Sequence, residues 1–505
     1  MRFNECRSKS GRFRPILTTV VVTVLLTLGW VGLEVYFAWS SKPAIQENYG
    51  AKIREIAEAW QPGTGPNGWD SLVRACEAHR EHVESYYDEK ADWQGRTSGI
   101  LADAVLQPEW TRDFLQRTDE LEQAEADRLV SVLQGWVLET IDSFDSLGIS
   151  EELDELCQTD VFLGDWPDST AEEQFEPYWD VASSARGLLR MLDVKMYLHA
   201  ERGEWEEYLR TYEHVFALGR AFRFQPGILG SHLGMAAHEK AARRFRSDLL
   251  QARIPISIVE QIFELEPSYT DGPTLAEIYQ IELLVYLDIH QKFFDARGRL
   301  VVTRMLNLKN FLGGKAHWTE NFRAITMPRW KTVKMKIEEQ HAQKASFAMS
   351  PPASRLDHKR ESYEVMPLFD ESLPLVERFT RGMSSLPFTL GFDTLSVSAP
   401  GHRMLVAIEL YRFATGESPV ELGDLVPGYL EEVPIDSFHP DGMPWNYKRL
   451  DQPDEFGRTY ILYSVGRDGS DNGGAHHETS ASHALDPKNA GTDYVMNHPS
   501  LYKTD

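Results

Sequence analysis

Leu462-Tyr463-Ser464-Val465-Gly466-Arg467-Asp468-Gly469-Ser470-Asp471-Asn472-Gly473-Gly474 is a short apolar, aromatic run that ends abruptly in a loop of glycines and acids. Glycines permit the φ > 0 turns that let backbone carbonyls converge on one point. Asp468, Ser470, Asp471 and Asn472 add hard oxygen donors, the chemistry that Ca²⁺ prefers. The same composition also makes a glycine-rich hairpin turn with solvated acids. The flanking sequence bears on which of the two it is.

Upstream, Met404, Leu405, Ala407, Ile408 and Tyr411 make a helix that stops at Gly416, where a left-handed cap fits. Then come Glu417-Ser418-Pro419, Leu425-Val426-Pro427-Gly428-Tyr429-Leu430, Val433-Pro434-Ile435-Asp436, Pro444-Trp445-Asn446-Tyr447 and the run into Ser464-Val465-Gly466-Arg467-Asp468-Gly469. In this order the segments resemble the globular part of the major pseudopilin of type II secretion systems. The resemblance covers residues 396–505 only. It implies a helix packed on a small antiparallel sheet and closed by a Ca²⁺-binding loop. Carried over position by position, it implies a metal shell from Ser464, Asp468, Asp471 and Asp493, completed by backbone carbonyls near Leu462 and Val465. Three carboxylates held close together repel, and a divalent cation relieves that. One family feature is missing: Arg12-Phe13-Arg14-Pro15 does not provide the glycine, phenylalanine and spaced glutamate of a prepilin-peptidase site.

A chain of 505 residues is too long for one ordinary core, and its apolar fraction of 42% suffices for two or three. The net charge of −25 argues against sequence-independent nucleic-acid binding, because a phosphate backbone is repelled. Cys6, Cys76 and Cys157 are too few for a disulfide scaffold.

Residues 16–39 carry no charge apart from Glu34 and are dominated by Val, Leu, Ile and Thr, a stretch long enough to cross a bilayer as a helix. Arg2, Arg7, Lys9, Arg12 and Arg14 precede them, so the positive-inside rule keeps residues 1–15 in the cytoplasm and exports the rest. A cleaved signal peptide would have a shorter apolar core and a better site than Ala38-Trp39-Ser40. The expectation is a single-pass anchor in a bacterial inner membrane, with the lipid bilayer as its first partner. Cys76 and Cys157 would then lie in an oxidising compartment where they could pair.

Residues 40–395 read as an α-helical ectodomain. Ile53, Ile56, Ala57 and Trp60 share one helical face, and Leu72, Val73, Cys76 and Val83 mark a second helix. A third runs between 111 and 147, and Asp160 to Glu176 reads as an acidic surface loop. Leu188, Leu189, Leu192, Met196 and Ala200, then a turn at Gly203, then Tyr208, Leu209, Tyr212, Val215 and Phe216 predict an αα-hairpin resembling one tetratricopeptide-type unit. Helices follow over 230–252 and from 273. Between 297 and 345 the sequence turns basic, with Arg297, Arg299, Arg304, Lys309, Lys315, Arg323, Arg329, Lys331, Lys334 and Lys336. The predicted fold is therefore mainly α, with one transmembrane helix and a small α+β domain at 396–505.

No HExxH, GxSxG, phosphate-binding loop or paired CxxC occurs. His476, His477, Glu478 and His483 offer zinc-type ligands, but within a Ser/Thr/Gly-rich stretch that preorganises nothing. Two functions stay open. One is a non-enzymatic exported protein working through protein–protein contacts in secretion or envelope organisation. The other places an enzyme or small-ligand receptor in region 41–400, which would need convergent polar groups of perturbed pKa in a deep pocket.

Overall fold

The structure is a computed structural model that describes residues 41–89, 122–164, 171–265, 272–301, 329–355, 385–478, 481–485 and 491–502, together with residues 26, 33, 36, 37, 40, 105, 106 and 111. By its contacts the chain forms two compact units. The smaller comprises Met1–Tyr49, Leu283–Ala342 and Pro367–Met383, and the larger Gly50–Glu282, Gln343–Met366 and Ser384–Asp505.

The described helices are α1 (Tyr49–Trp60), α2 (Trp69–Glu89), α3 (Gln123–Asp142), α4 (Ile149–Cys157), α5 (Ala171–Arg202), α6 (Trp205–Arg223), α7 (Ile228–Leu250), α8 (Ile256–Leu265), α9 (Leu275–Gln291), α10 (Trp330–Met349) and α11 (Ser385–Thr415). In the larger unit α5 and α6 form the expected hairpin. Leu188, Leu192, Tyr208, Tyr212, Val215 and Leu218 are all buried, because each apolar stripe recurs at the helical period and can hide only against a neighbour. α7 packs on α5, α6 and α11, while α2 packs on α4 and α5. The α6–α7 crossing depends on glycine: a Cβ on Gly234 would stand 2.6 Å from the Gly219 carbonyl oxygen and 2.8 Å from the Arg223 amide nitrogen.

Three antiparallel strands, β1 (Asn446–Arg449), β2 (Tyr460–Ser464) and β3 (Tyr494–Val495), lie in the order β1-β2-β3. Tyr447 faces Leu462 and Tyr463 faces Val495 across the ladders. α11 packs on β2 and also on α7 and α8. The boundary expected at 395/396 falls inside α11, and residues 396–505 share their compact unit with most of the helical region. α11 also begins sixteen residues before Gly401 and continues through Pro400. Proline costs a helix interior roughly 3 kcal/mol; burial of Leu395, Val397, Ala399, Met404, Leu405 and Ile408 offsets it. A side chain at Gly401 would sit 2.4 Å from the Trp445 ring, so glycine lets the indole seat against the helix. α5 starts at Ala171, inside the stretch expected to be a loop through Glu176.

In the smaller unit, Tyr49, Tyr286, Leu287, Phe293, Phe294, Leu300, Trp330, Val333 and Ile337 make one core. Residues 41–49 are stitched to it. Gln291 Oε1 accepts the amides of Gln46 and Glu47 at 2.8 and 3.0 Å, and its Nε2 donates to the Glu47 carbonyl at 2.8 Å. No described helix is long and apolar enough to cross a membrane, and residues 16–39 lie outside the described residues except for Leu26, Leu33, Tyr36 and Phe37. Cys76 and Cys157, expected as a possible pair, are free thiols. Burial pushes both up to about 12, so neither is a ready thiolate.

Candidate functional site

The glycine–aspartate loop has the left-handed turns its composition calls for: φ is 69° at Gly466, 67° at Gly469, 71° at Gly473 and 83° at Gly474. Its carboxylates are spent on backbone amides. Asp468 Oδ1 accepts from Ser470 N at 2.9 Å and its Oδ2 from Gly491 N at 2.7 Å. Asp471 Oδ1 accepts from Gly473 N at 2.8 Å and from the Tyr463 hydroxyl at 3.1 Å. Asp493, almost fully buried, accepts from Asn472 N at 3.2 Å and Gly474 N at 2.7 Å. Two of these are Asx turns, in which a side chain replaces a backbone acceptor two residues on. Burial raises the Asp493 carboxyl above its ordinary pKa, the two amides oppose that, and the Asp471 charge adds to it.

The other expected ligands face elsewhere. Ser464 Oγ donates to Asp436 Oδ1 at 2.8 Å and Val465 N to Asp436 Oδ2 at 2.9 Å, while Phe438 N donates to Oδ1 at 3.0 Å. Gly466 N in turn donates to Ser464 Oγ at 3.1 Å. The Leu462 carbonyl accepts from Met496 N at 2.9 Å. Asp471 and Asp493 are thus neighbours on one side of the loop, and Asp468 ties it to Gly491. Ser464 and Val465 converge on Asp436. The donor set is right for calcium in kind but is arranged around amides: among the described residues, no group of three His, Cys, Asp or Glu side chains could hold a metal ion.

Two residues outside the expected set hold this region together. Asp436 stood in the quoted Val433–Asp436 segment, but only the fold brings Ser464 to it across 28 positions. Arg467 pairs with Asp393 of α11 at 3.1 Å, both side chains buried, with the guanidinium 5.5 Å from the Phe438 ring centroid. Asp436 therefore locks a hairpin in place. Its own amide donates to the Met443 carbonyl at 2.9 Å, Ile435 and Pro444 bridge, and Trp445 N donates to the Pro434 carbonyl. The hairpin carries two exposed apolar side chains, Ile435 at 62% and Met443 at 53%.

The histidines form no metal centre among the described side chains. His498 Nε2 lies 2.7 Å from the His477 carbonyl and Nδ1 accepts from Ser500 N at 3.1 Å, which assigns the Nε2–H tautomer. Burial lowers His498 to about 4. The side chain of His483 lies outside the described ones.

A second cluster lies in the helical body. Lys240 Nζ and Arg244 Nε of α7 reach Asp193 of α5 at 2.5 and 3.1 Å, and the Tyr208 hydroxyl of α6 donates to Asp248 of α7 at 3.0 Å. Burial pushes Asp193 up, but Arg244 and Lys240 outweigh it and hold it below its ordinary value. Asp248 is raised by burial to about 6, against the pull of Arg244. On the far side of α6, Arg210 and His214 share Asp154 of α4, which Arg210 holds at about 2. These groups are matched to one another across helix contacts, the arrangement of a polar lock between helices. No protein-family model matches the chain, and no curated protein or solved structure matches it.

Proposed function

We propose that the chain is a membrane-anchored, exported, non-enzymatic protein that works through protein–protein contact in secretion or envelope organisation. The observation that carries this reading is the braced hairpin 434–445. It displays Ile435 and Met443 to solvent on a backbone fixed by three hydrogen bonds to one buried carboxylate. Exposed apolar side chains on a rigid support are what a protein partner buries. The anchor is supported by the composition of residues 16–39 and by the exposed apolar side chains of Leu26, Leu33 and Tyr36. The pseudopilin-like character of residues 396–505 is supported by the order of their segments and by the helix lying on an antiparallel sheet.

The test uses the full chain extracted in mild detergent. Wild type should run in an assembly larger than its own mass, and Ile435→Glu/Met443→Glu should run alone with unchanged melting. Equal assembly by both proteins contradicts the reading. A second reading adds Ca²⁺ at Asp468, Asp471 and Asp493, favoured by the oxygen donors and by the burial of Asp493 beside Asp471. It requires the three carboxylates to exchange their amide donors for one ion. A ligand that binds only the folded state raises the melting temperature by mass action, so chelation should lower it and Asp493→Asn should remove the effect; unchanged melting on chelation rejects calcium.

A further inference from the structure

We propose that the smaller unit carries a basic collar that binds anionic phosphodiester headgroups where the apolar stretch leaves the bilayer. This rests on the reading of residues 16–39 as a membrane anchor. Phe37 stands two residues from the end of that stretch, and its ring lies under two guanidinium groups, Arg299 at 4.8 Å and Arg297 at 5.9 Å from the centroid. Ser41 N donates to the Phe37 carbonyl at 2.8 Å, and Ser41 Oγ to Asp295 Oδ2 at 3.1 Å, so the exit is fixed against the 295–299 turn. Trp330 N donates to the Gly298 carbonyl at 2.9 Å, and this brings Arg329 and the first turn of α10 to the same place.

Asp295 Oδ1 accepts the backbone amides of Arg297 and Arg299 at 2.9 and 2.8 Å. On α10, Val333 and Ile337 enter the core while Lys331, Met335 and Lys336 face solvent, Met335 at 57% exposure. An exposed thioether between lysines suits the headgroup boundary, where apolar tips dip in and ammonium groups stay at phosphate level. Lys334 is already engaged by Glu47 and lies 5.8 Å from the Tyr49 ring centroid, so it belongs to the scaffold.

A chain of net charge −25 has no general attraction to an anionic surface. With charges screened beyond about 8–10 Å, only a local basic patch can make the contact, and repulsion elsewhere orients it. These residues lie beyond position 290, so they do not enter the bias of short flanks that sets anchor orientation.

The experiment reconstitutes the full chain into phosphatidylcholine bilayers with and without phosphatidylglycerol and follows lysine acylation by mass spectrometry. At low salt Lys331 and Lys336 should react on the order of tenfold more slowly in the anionic bilayer, with the exposed Lys448 as a reference that does not change. High salt should abolish the protection, and so should Arg297→Gln/Arg329→Gln, two exposed side chains. Each basic residue near such a surface contributes roughly fivefold in affinity, so the double variant should lose on the order of 25-fold in binding to phosphatidylglycerol vesicles. Equal labelling in the two bilayers, or protection that survives the double variant in a protein of unchanged melting, overturns the collar. If that variant misfolds, Lys331→Gln/Lys336→Gln replaces it; these side chains are exposed, and undiminished vesicle binding by that variant overturns the collar. Release of wild type from zwitterionic bilayers by high salt would instead reject the anchor. The collar is then judged on salt-sensitive binding of the same protein to added phosphatidylglycerol vesicles, and no binding overturns it.

Discussion

Replacing Asp436 should be among the most damaging single changes in the C-terminal region. Its two oxygens serve three donors, Ser464 Oγ–H, Val465 N–H and Phe438 N–H, and all four residues are buried. A buried donor left without an acceptor costs about 1–3 kcal/mol. Asp436→Ala strands three, although removing a buried carboxylate returns part of that cost; burial already raises this carboxyl above its ordinary pKa. The expected loss is about 3–5 kcal/mol. Asp436→Asn separates the two oxygens. An amide oxygen at the Oδ1 position keeps Ser464 and Phe438, while the NH₂ group opposes Val465 N–H, for a loss of about 1–3 kcal/mol. Ser464→Ala removes one donor of the set and also strands the buried Gly466 N–H that Ser464 Oγ accepts, so it should cost about 1–3 kcal/mol, close to Asp436→Asn. That Asp436→Ala exceeds both can be read from thermal melting of the full chain, and hydrogen exchange at the amides of 436, 443 and 445 localises it. If Asp436→Ala melts within about 0.5 kcal/mol of wild type, or Asn proves worse than Ala, the brace does not work this way.

Gly234→Ala should cost about 1–3 kcal/mol, because the new Cβ meets backbone atoms of α6 that cannot move without moving the helix; Gly135→Ala in α3, with nothing within 4 Å, should instead gain up to about 1 kcal/mol. Asp248 titrates at about 6 in the fold against 3.8 for the free group, so between those values the folded state holds a proton that the unfolded chain has lost. Raising pH through that window should therefore remove about 3 kcal/mol of stability, and a pH series of melts on Asp248→Asn should be flatter there and higher at pH 7. For the buried pair, Asp393→Ala should cost about 3–5 kcal/mol by leaving Arg467 uncompensated, whereas Asp393→Leu/Arg467→Met should cost less; a double variant as unstable as the single one contradicts this.

The helical body was legible because its apolar residues recur at the helical period over long stretches, as along Leu188–Ala200 and Tyr208–Leu218. The loop's left-handed turns were legible because its glycines leave little else. Its partners were not. Composition shows three aspartates near one another, but whether each turns toward an ion or toward the amide two residues on depends on local backbone geometry. Ser464 and Arg467 take acceptors 28 and 74 positions away, separations that carry no local signal. The start of α11 was hidden by Pro400-Gly401, which reads as a break until burial on both sides is known. For the same reason residues 396–505 read as a separate domain, although α11 packs on α7 and α8 of the helical body.

The most direct measurement places a photo-crosslinking residue at position 435 of the full chain in membranes, with the exposed position 451 as control. A discrete adduct to one other envelope protein from position 435, absent from 451 and reduced by Met443→Glu, is the expected result. No adduct, or the same adducts from both positions, would contradict an interaction role for the braced hairpin.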